Sequence, residues 1–189
     1  MRKAIYPGIV LTILLITTVL ALGQEEATKD PKDPMGEQDM CTVVLKETAK
    51  PNHWIVEINL TNDEPLFGMT FPFLISSSKG SLSYDSTSFA GTRIENFAVK
   101  IPHEDVAFTK TGKGLKINVG LIGSIGPVAL VLEPGSGVIA RHYITGSGGV
   151  TTKDIMVDST FMEPSNTLRT TMLDSRISVY PDFEFKRGE

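Results

Sequence analysis

The segment Leu132–Val150, LEPGSGVIARHYITGSGGV, sets two glycine-rich knots on either side of an alternating run. Such knots can wrap phosphate oxygens in backbone amides, so they are the first residues to weigh as chemistry. A P-loop needs Gly, four residues and then Gly-Lys-Ser/Thr, because the lysine must reach the outer phosphates while the loop holds the inner ones. Neither GSGGVTTK nor TGKGLK has that spacing. A dinucleotide fingerprint must open a helix after a strand, whereas the residues after PGSG alternate as a strand does. The glycines read as turns.

Other chemistry is sparse. IGSIG, Ile122–Gly126, resembles a serine elbow with its first glycine replaced, but an elbow belongs between a strand and a helix of an α/β sheet. The three histidines, His53, His103 and His142, show no HExxH and no pair at metal-ligand spacing. His142 is expected on the face of Val138, Ala140 and Ile144, as a histidine at the edge of the core. Asp63-Glu64 and Asp85 fall in or near turns, where carboxylates and carbonyls of β-sandwiches can hold calcium. Solvated turn acids are the simpler reading, and no metal or other cofactor is expected. Asn59-Leu60-Thr61 is formally a glycosylation sequon, placed mid-strand. No catalytic residue emerges.

These residues need elements to hold them, and the elements repeat every second residue. In HWIVEINL, Trp54, Val56, Ile58 and Leu60 fall on one side and Ile55, Glu57 and Asn59 on the other. LFGMTFPFLIS puts Phe67, Met69, Phe71, Phe73 and Ile75 on one face, and LKINVGLI does so with Leu115, Ile117, Val119 and Leu121. Pro72 predicts an edge strand or a bulge. Further alternating runs are DVAFTK, VIARHYIT, DIMVDSTF and RISVY, separated by turn-formers such as TNDEP, SSSKG, TGKG, EPGSG and EPSN. TGKG predicts a hairpin connection, and SNTLRTTMLDS could hold a short helical turn. Many short strands at even spacing predict an all-β, antiparallel sandwich or jelly roll.

The start of the chain reads differently. Met1-Arg2-Lys3 and an apolar run ending in Ala21-x-Gly23 predict a signal peptide over residues 1–23, cleaved before Gln24. Gln24, where a lipoprotein would carry cysteine, argues against lipid attachment. Residues 24–40 hold six acids, two lysines and two prolines without apolar periodicity, and predict a flexible acidic linker. The domain is expected over 41–189. Cleavage removes Arg2 and Lys3 and leaves 16 basic against 22 acidic residues, a net charge of −6. Without a basic stripe, nucleic-acid binding is not expected. Cys41 is the single cysteine, so no intrachain disulfide can form, and it reads as a small apolar residue of the first strand.

The order IVEINLTNDEPLFGMTFPF, LSYDSTSFAGTRIENF, INVGLIG, LEPGSGVIARHYIT and VDSTFMEPSNTLRTT, closed by YPDFEF, resembles a cohesin-like domain of secreted bacterial proteins, over nearly all of Cys41–Glu189. The similarity implies a jelly-roll β-sandwich of about nine antiparallel strands, in the wider superfamily that includes carbohydrate-binding modules. It implies protein binding or a place in an extracellular assembly, with dockerin as the known partner of the family. It carries over no site residue.

The expected function is that of a secreted or periplasmic, non-catalytic protein-binding or adhesion module whose partner is another extracellular protein. The alternative is a carbohydrate-binding module that holds extracellular polysaccharide. One Trp, placed on the core side of its strand, argues against that alternative. A docking strip is expected on Ile139, Arg141 and Tyr143, turned outward if Val138, Ala140 and Ile144 turn inward.

Overall fold

The computed structural model describes residues 36–109, 112–123, 130–160, 168–172 and 178–188. The expected signal peptide and most of the expected linker lie outside them. The end of that linker does not hang free: Asp39 is 1 % exposed and Met40 opens the first strand.

The described residues form eleven strands in two sheets. One sheet is ordered β11-β1-β2-β7-β4, from β1 (Met40–Glu47), β2 (His53–Asn62), β4 (Ser81–Ser88), β7 (Gly135–Ser147) and β11 (Asp182–Arg187). The other runs β10-β9-β3-β6-β5, from β3 (Leu66–Ser77), β5 (Val99–Thr109), β6 (Gly112–Ile122), β9 (Arg169–Met172) and β10 (Ser178–Val179). Strand β8 (Ile155–Ser159) also pairs with β3. The result is the expected jelly-roll sandwich. One feature departs from an all-antiparallel design: β1 and β11 pair in parallel, joining the two ends of the domain in one sheet.

Alternation explains the core. Trp54, Val56, Ile58 and Leu60 of β2 and Leu115, Ile117, Val119 and Leu121 of β6 are all buried, as their period of two requires. Phe71 and Phe73 add stacked rings 6.4 Å apart, and Phe183 packs on Phe73 at 5.9 Å. Cys41 is fully buried as the first core residue of β1, and burial pushes its thiol pKa up.

Local expectations are corrected at four places. Pro72 is not on an edge, since β3 pairs with β6 from Gly68 to Ser76 and with β9 and β8 on its other side. It falls where the partner on the other side changes from β9 at Thr70 to β8 at Phe73, a gap in the ladder that needs no N–H. Phe67 is not in the core; a register irregularity between Leu66 and Gly68 puts Leu66 inside instead. Thr109 of β5 pairs with Gly112 of β6 and Ala107 with Gly114, so Gly112 and Gly114 belong to β6 rather than to the turn. Within SNTLRTTMLDS, Arg169–Met172 is a strand and not a helical turn. Among the described residues no helix is long and apolar enough to cross a membrane.

Candidate functional site

The opening glycine knots hold side chains of the protein itself. Arg93 reaches under PGSG, donating to the carbonyls of Gly135 and Leu60 at 2.9 Å each and to that of Glu133 at 2.5 Å. A Cβ at Gly137, whose φ is +153°, would lie 3.1 Å from the Arg93 Cδ. At the second knot a Cβ on Gly146 would lie 2.8 Å from the Trp54 ring. Trp54 is 4 % exposed and donates its indole N–H to Thr152 Oγ1 at 2.9 Å. The glycines make room for an arginine and a tryptophan, and the tryptophan cannot stack on a sugar.

The strip expected on β7 is broken by a bulge. Ile58 pairs with Ala140 and Asn59 with Val138, leaving Ile139 as the extra residue. Parity reverses there, and Ile139 is fully buried beside Ala140 rather than displayed. Arg141 and Tyr143 do lie on the outer face, half-buried. Arg141 donates to Glu57 Oε2 at 3.1 Å and to the Ala90 carbonyl at 3.0 Å, while Lys46 meets Glu57 Oε1 at 2.7 Å. Burial raises the Glu57 pKa, but the hydrogen bonds and charges of Lys46 and Arg141 outweigh it and hold the carboxyl below its ordinary range. Arg141 is already engaged.

His142 is fully buried; its Nδ1 lies 2.7 Å from Thr87 Oγ1, which in turn lies 2.8 Å from the Tyr84 hydroxyl. A hydroxyl beside an imidazole could be a nucleophile and its base, yet the imidazole itself is sealed from solvent. Burial lowers the His142 pKa to about 3. The Nδ1 of His53 is 2.8 Å from the Pro51 carbonyl, a local turn contact. The His103 side chain and the serine of IGSIG lie outside the described set.

The second sheet has the more open surface. Two cross-strand rows lie side by side on its outer face: Arg169, Thr70, Gly120 and Ile101, then Thr171, Gly68, Ile122 and Val99. One glycine in each row leaves the centre low, and a groove of about 320 Å³ results, with Phe67 at its end. A Cβ on Gly120 would meet nothing within 4 Å. Ile101 and Ile122 flank this floor at 59 % and 38 % exposure. Among the described residues nothing pairs with the Arg169 guanidinium. Sequence reasoning missed this face. Its one legible signal was Ile122, an apolar residue on the polar parity of Lys116, Asn118 and Gly120.

Acids gather at one end of the sandwich. Carboxylate oxygens of Asp39, Asp63 and Glu64 lie within 4.8 Å of one another, with Asp39 and Glu64 buried and Asp63 exposed. The neighbouring Glu64 side chain, first, and the backbone N–H of Glu37, which donates to Asp63, hold the Asp63 pKa below its ordinary value. Asp85 is not part of the cluster; it is the bulged residue of β4 and accepts from Thr145 Oγ1 at 2.6 Å.

No family model and no curated protein matches the chain. Solved structures do. The sixth cohesin of scaffoldin B from Acetivibrio cellulolyticus, solved in complex with a Cel5 dockerin mutant, is 10 % identical with a TM-score of 0.52. It covers 80 % of this chain and 100 % of its own. The cohesin of the Coh-OlpA-Doc918 complex from Clostridium thermocellum is 14 % identical over 80 % of this chain and 100 % of its own, with a TM-score of 0.53. The fold is that of a cohesin-like domain.

Proposed function

We propose that this chain is a non-catalytic protein-binding module that docks a dockerin-type domain on the groove between β9, β3, β6 and β5. The observation that carries the reading is the row Arg169, Thr70, Gly120, Ile101. It joins a cation that has no partner among the described residues to an open floor and an exposed aliphatic. Such a groove takes an apolar side chain of the partner, with an acidic group beside it to meet Arg169. Both solved cohesins named above are in complexes with dockerins, which is why that partner class is chosen. A non-catalytic role is supported by the sealed position of His142 beside Thr87. Export is part of the same proposal, resting on the basic start and the Ala21-x-Gly23 ending; the mass of the mature protein tests cleavage before Gln24.

The docking test adds matter to empty space. Gly120→Phe fills the floor without touching the core, and Ile101→Glu charges the wall. Each is measured for melting temperature and for binding to a panel of purified dockerin domains from the same organism. Saturable binding by the native protein, weakened about tenfold or more by both changes at unchanged melting temperature, supports the proposal. No binding at all, or binding that ignores both substitutions, overturns it.

A further inference from the structure

Strand β11 is an edge of the first sheet, while β8 lies in the second, paired with β3 alone among the described strands. The Arg187 side chain crosses between them. From β11 it donates through Nη2 to the Ile155 carbonyl at 2.8 Å, and through Nε to the Thr152 carbonyl at 3.3 Å. The same Nη2 meets Met156 Sδ at 2.8 Å, and the guanidinium carbon stands 5.2 Å from the centre of the Phe185 ring. The ring and the two carbonyls hold the guanidinium in place. The second N–H of Nη2 is thereby aimed at sulfur.

Sulfur is a poor match for that donor. A thioether accepts only weakly, whereas a guanidinium favours a charged or strongly polar oxygen. Met156 is also open to solvent, at 42 % exposure, because on β8 it turns outward between buried Ile155 and Val157. Met69, on the inner face of β3, is 3 % exposed. An exposed thioether is oxidised by peroxide to a sulfoxide, which is polar and carries an accepting oxygen.

We propose that Met156 is a methionine oxidation site and that Arg187 is the receptor for its sulfoxide. In the reaction with hydrogen peroxide a sulfur lone pair forms the new S–O bond as the O–O bond breaks. Sulfur loses two electrons, and the remaining oxygen of the peroxide leaves as water. The new oxygen accepts from the Nη2 group already beside the sulfur, so a charge-assisted hydrogen bond replaces a weak contact. Oxidation of a core methionine loosens a fold, because it buries a polar group without a partner. Here the sulfur is at the surface and its donor is in place. Arg187 belongs to one sheet and Met156 to the other, so the modification tightens the tie between them. The site shares no residue with the docking groove.

The test treats the folded protein with a small molar excess of hydrogen peroxide and maps its methionines by peptide mass spectrometry. Met156 is expected to be oxidised about tenfold or more faster than Met69. The melting temperature of the oxidised protein is expected to rise by about 2–4 °C, and methionine sulfoxide reductases should return it to its starting value. Met156→Leu should abolish the rise, which separates it from oxidation at other methionines. Arg187→Lys keeps the charge and loses the planar fork; it should oxidise at Met156 like the native protein and gain no stability. Oxidation of Met156 no faster than that of Met69 overturns the site. A melting temperature that does not rise, or a rise that Arg187→Lys retains in full, overturns the part given to Arg187.

Discussion

His142 Nδ1 sits 2.7 Å from Thr87 Oγ1 across the β7–β4 pair, with the imidazole fully buried. Its folded pKa, about 3, lies below the ordinary value of 6.5. The unfolded chain therefore takes up a proton that the folded chain refuses. Stability from this group is complete above pH 6.5 and is lost as pH falls toward 3, by about 1.4 kcal/mol per pH unit at most. Urea unfolding at pH 7 and pH 5 should show a loss larger in the native protein than in His142→Gln. Equal losses would mean that acids alone govern the pH dependence.

Ile139, buried in β7 of one sheet, and Ile101, exposed on β5 of the other, are the same residue type. Ile139→Ala empties a fully buried position and should cost about 2–5 kcal/mol, whereas Ile101→Ala, at 59 % exposure, should change stability by about 0.5 kcal/mol or less. Chemical denaturation of both variants checks the pair. A mild effect at Ile139 would show that the bulge does not turn it inward.

Gly146→Ala should be destabilising, because the new methyl meets the Trp54 ring at 2.8 Å and the Val150 side chain at 3.0 Å. Overpacking of this kind costs about 1–3 kcal/mol. Trp54 is the single tryptophan, so its fluorescence reports any displacement directly. An unmoved emission spectrum and an unchanged melting temperature would refute the close contact.

Cys41 should resist thiol reagents in the folded protein and react at once in denaturant, since it is fully buried with its pKa raised. Reductant should leave the melting transition of the monomer unmoved. Cys41→Ser should cost about 1–3 kcal/mol by burying a hydroxyl in an apolar site. Rapid labelling under native conditions would contradict this placement.

Alternation in the sequence was enough to determine the strands, most of the core and the sandwich class, because a period of two is a local property of each segment and survives whatever the segment pairs with. Trp54 to Leu60 and Leu115 to Leu121 needed nothing more. The outward placement of Ile139 failed for the opposite reason. One extra residue at Ile139 reverses parity, and whether a strand bulges depends on its partner, here β2, which lies far away in the chain. Pro72 likewise signalled a missing hydrogen bond, but only the meeting of β9 and β8 on β3 decided that the gap would be central. The groove is a cross-strand object: Arg169, Thr70, Gly120 and Ile101 come from four strands and become neighbours through register alone. The acidic cluster shows both halves at once. Asp63-Glu64 was visible as a turn, while Asp39, placed by composition in a solvated tether, is buried beside Asn62 because β1 begins one residue later.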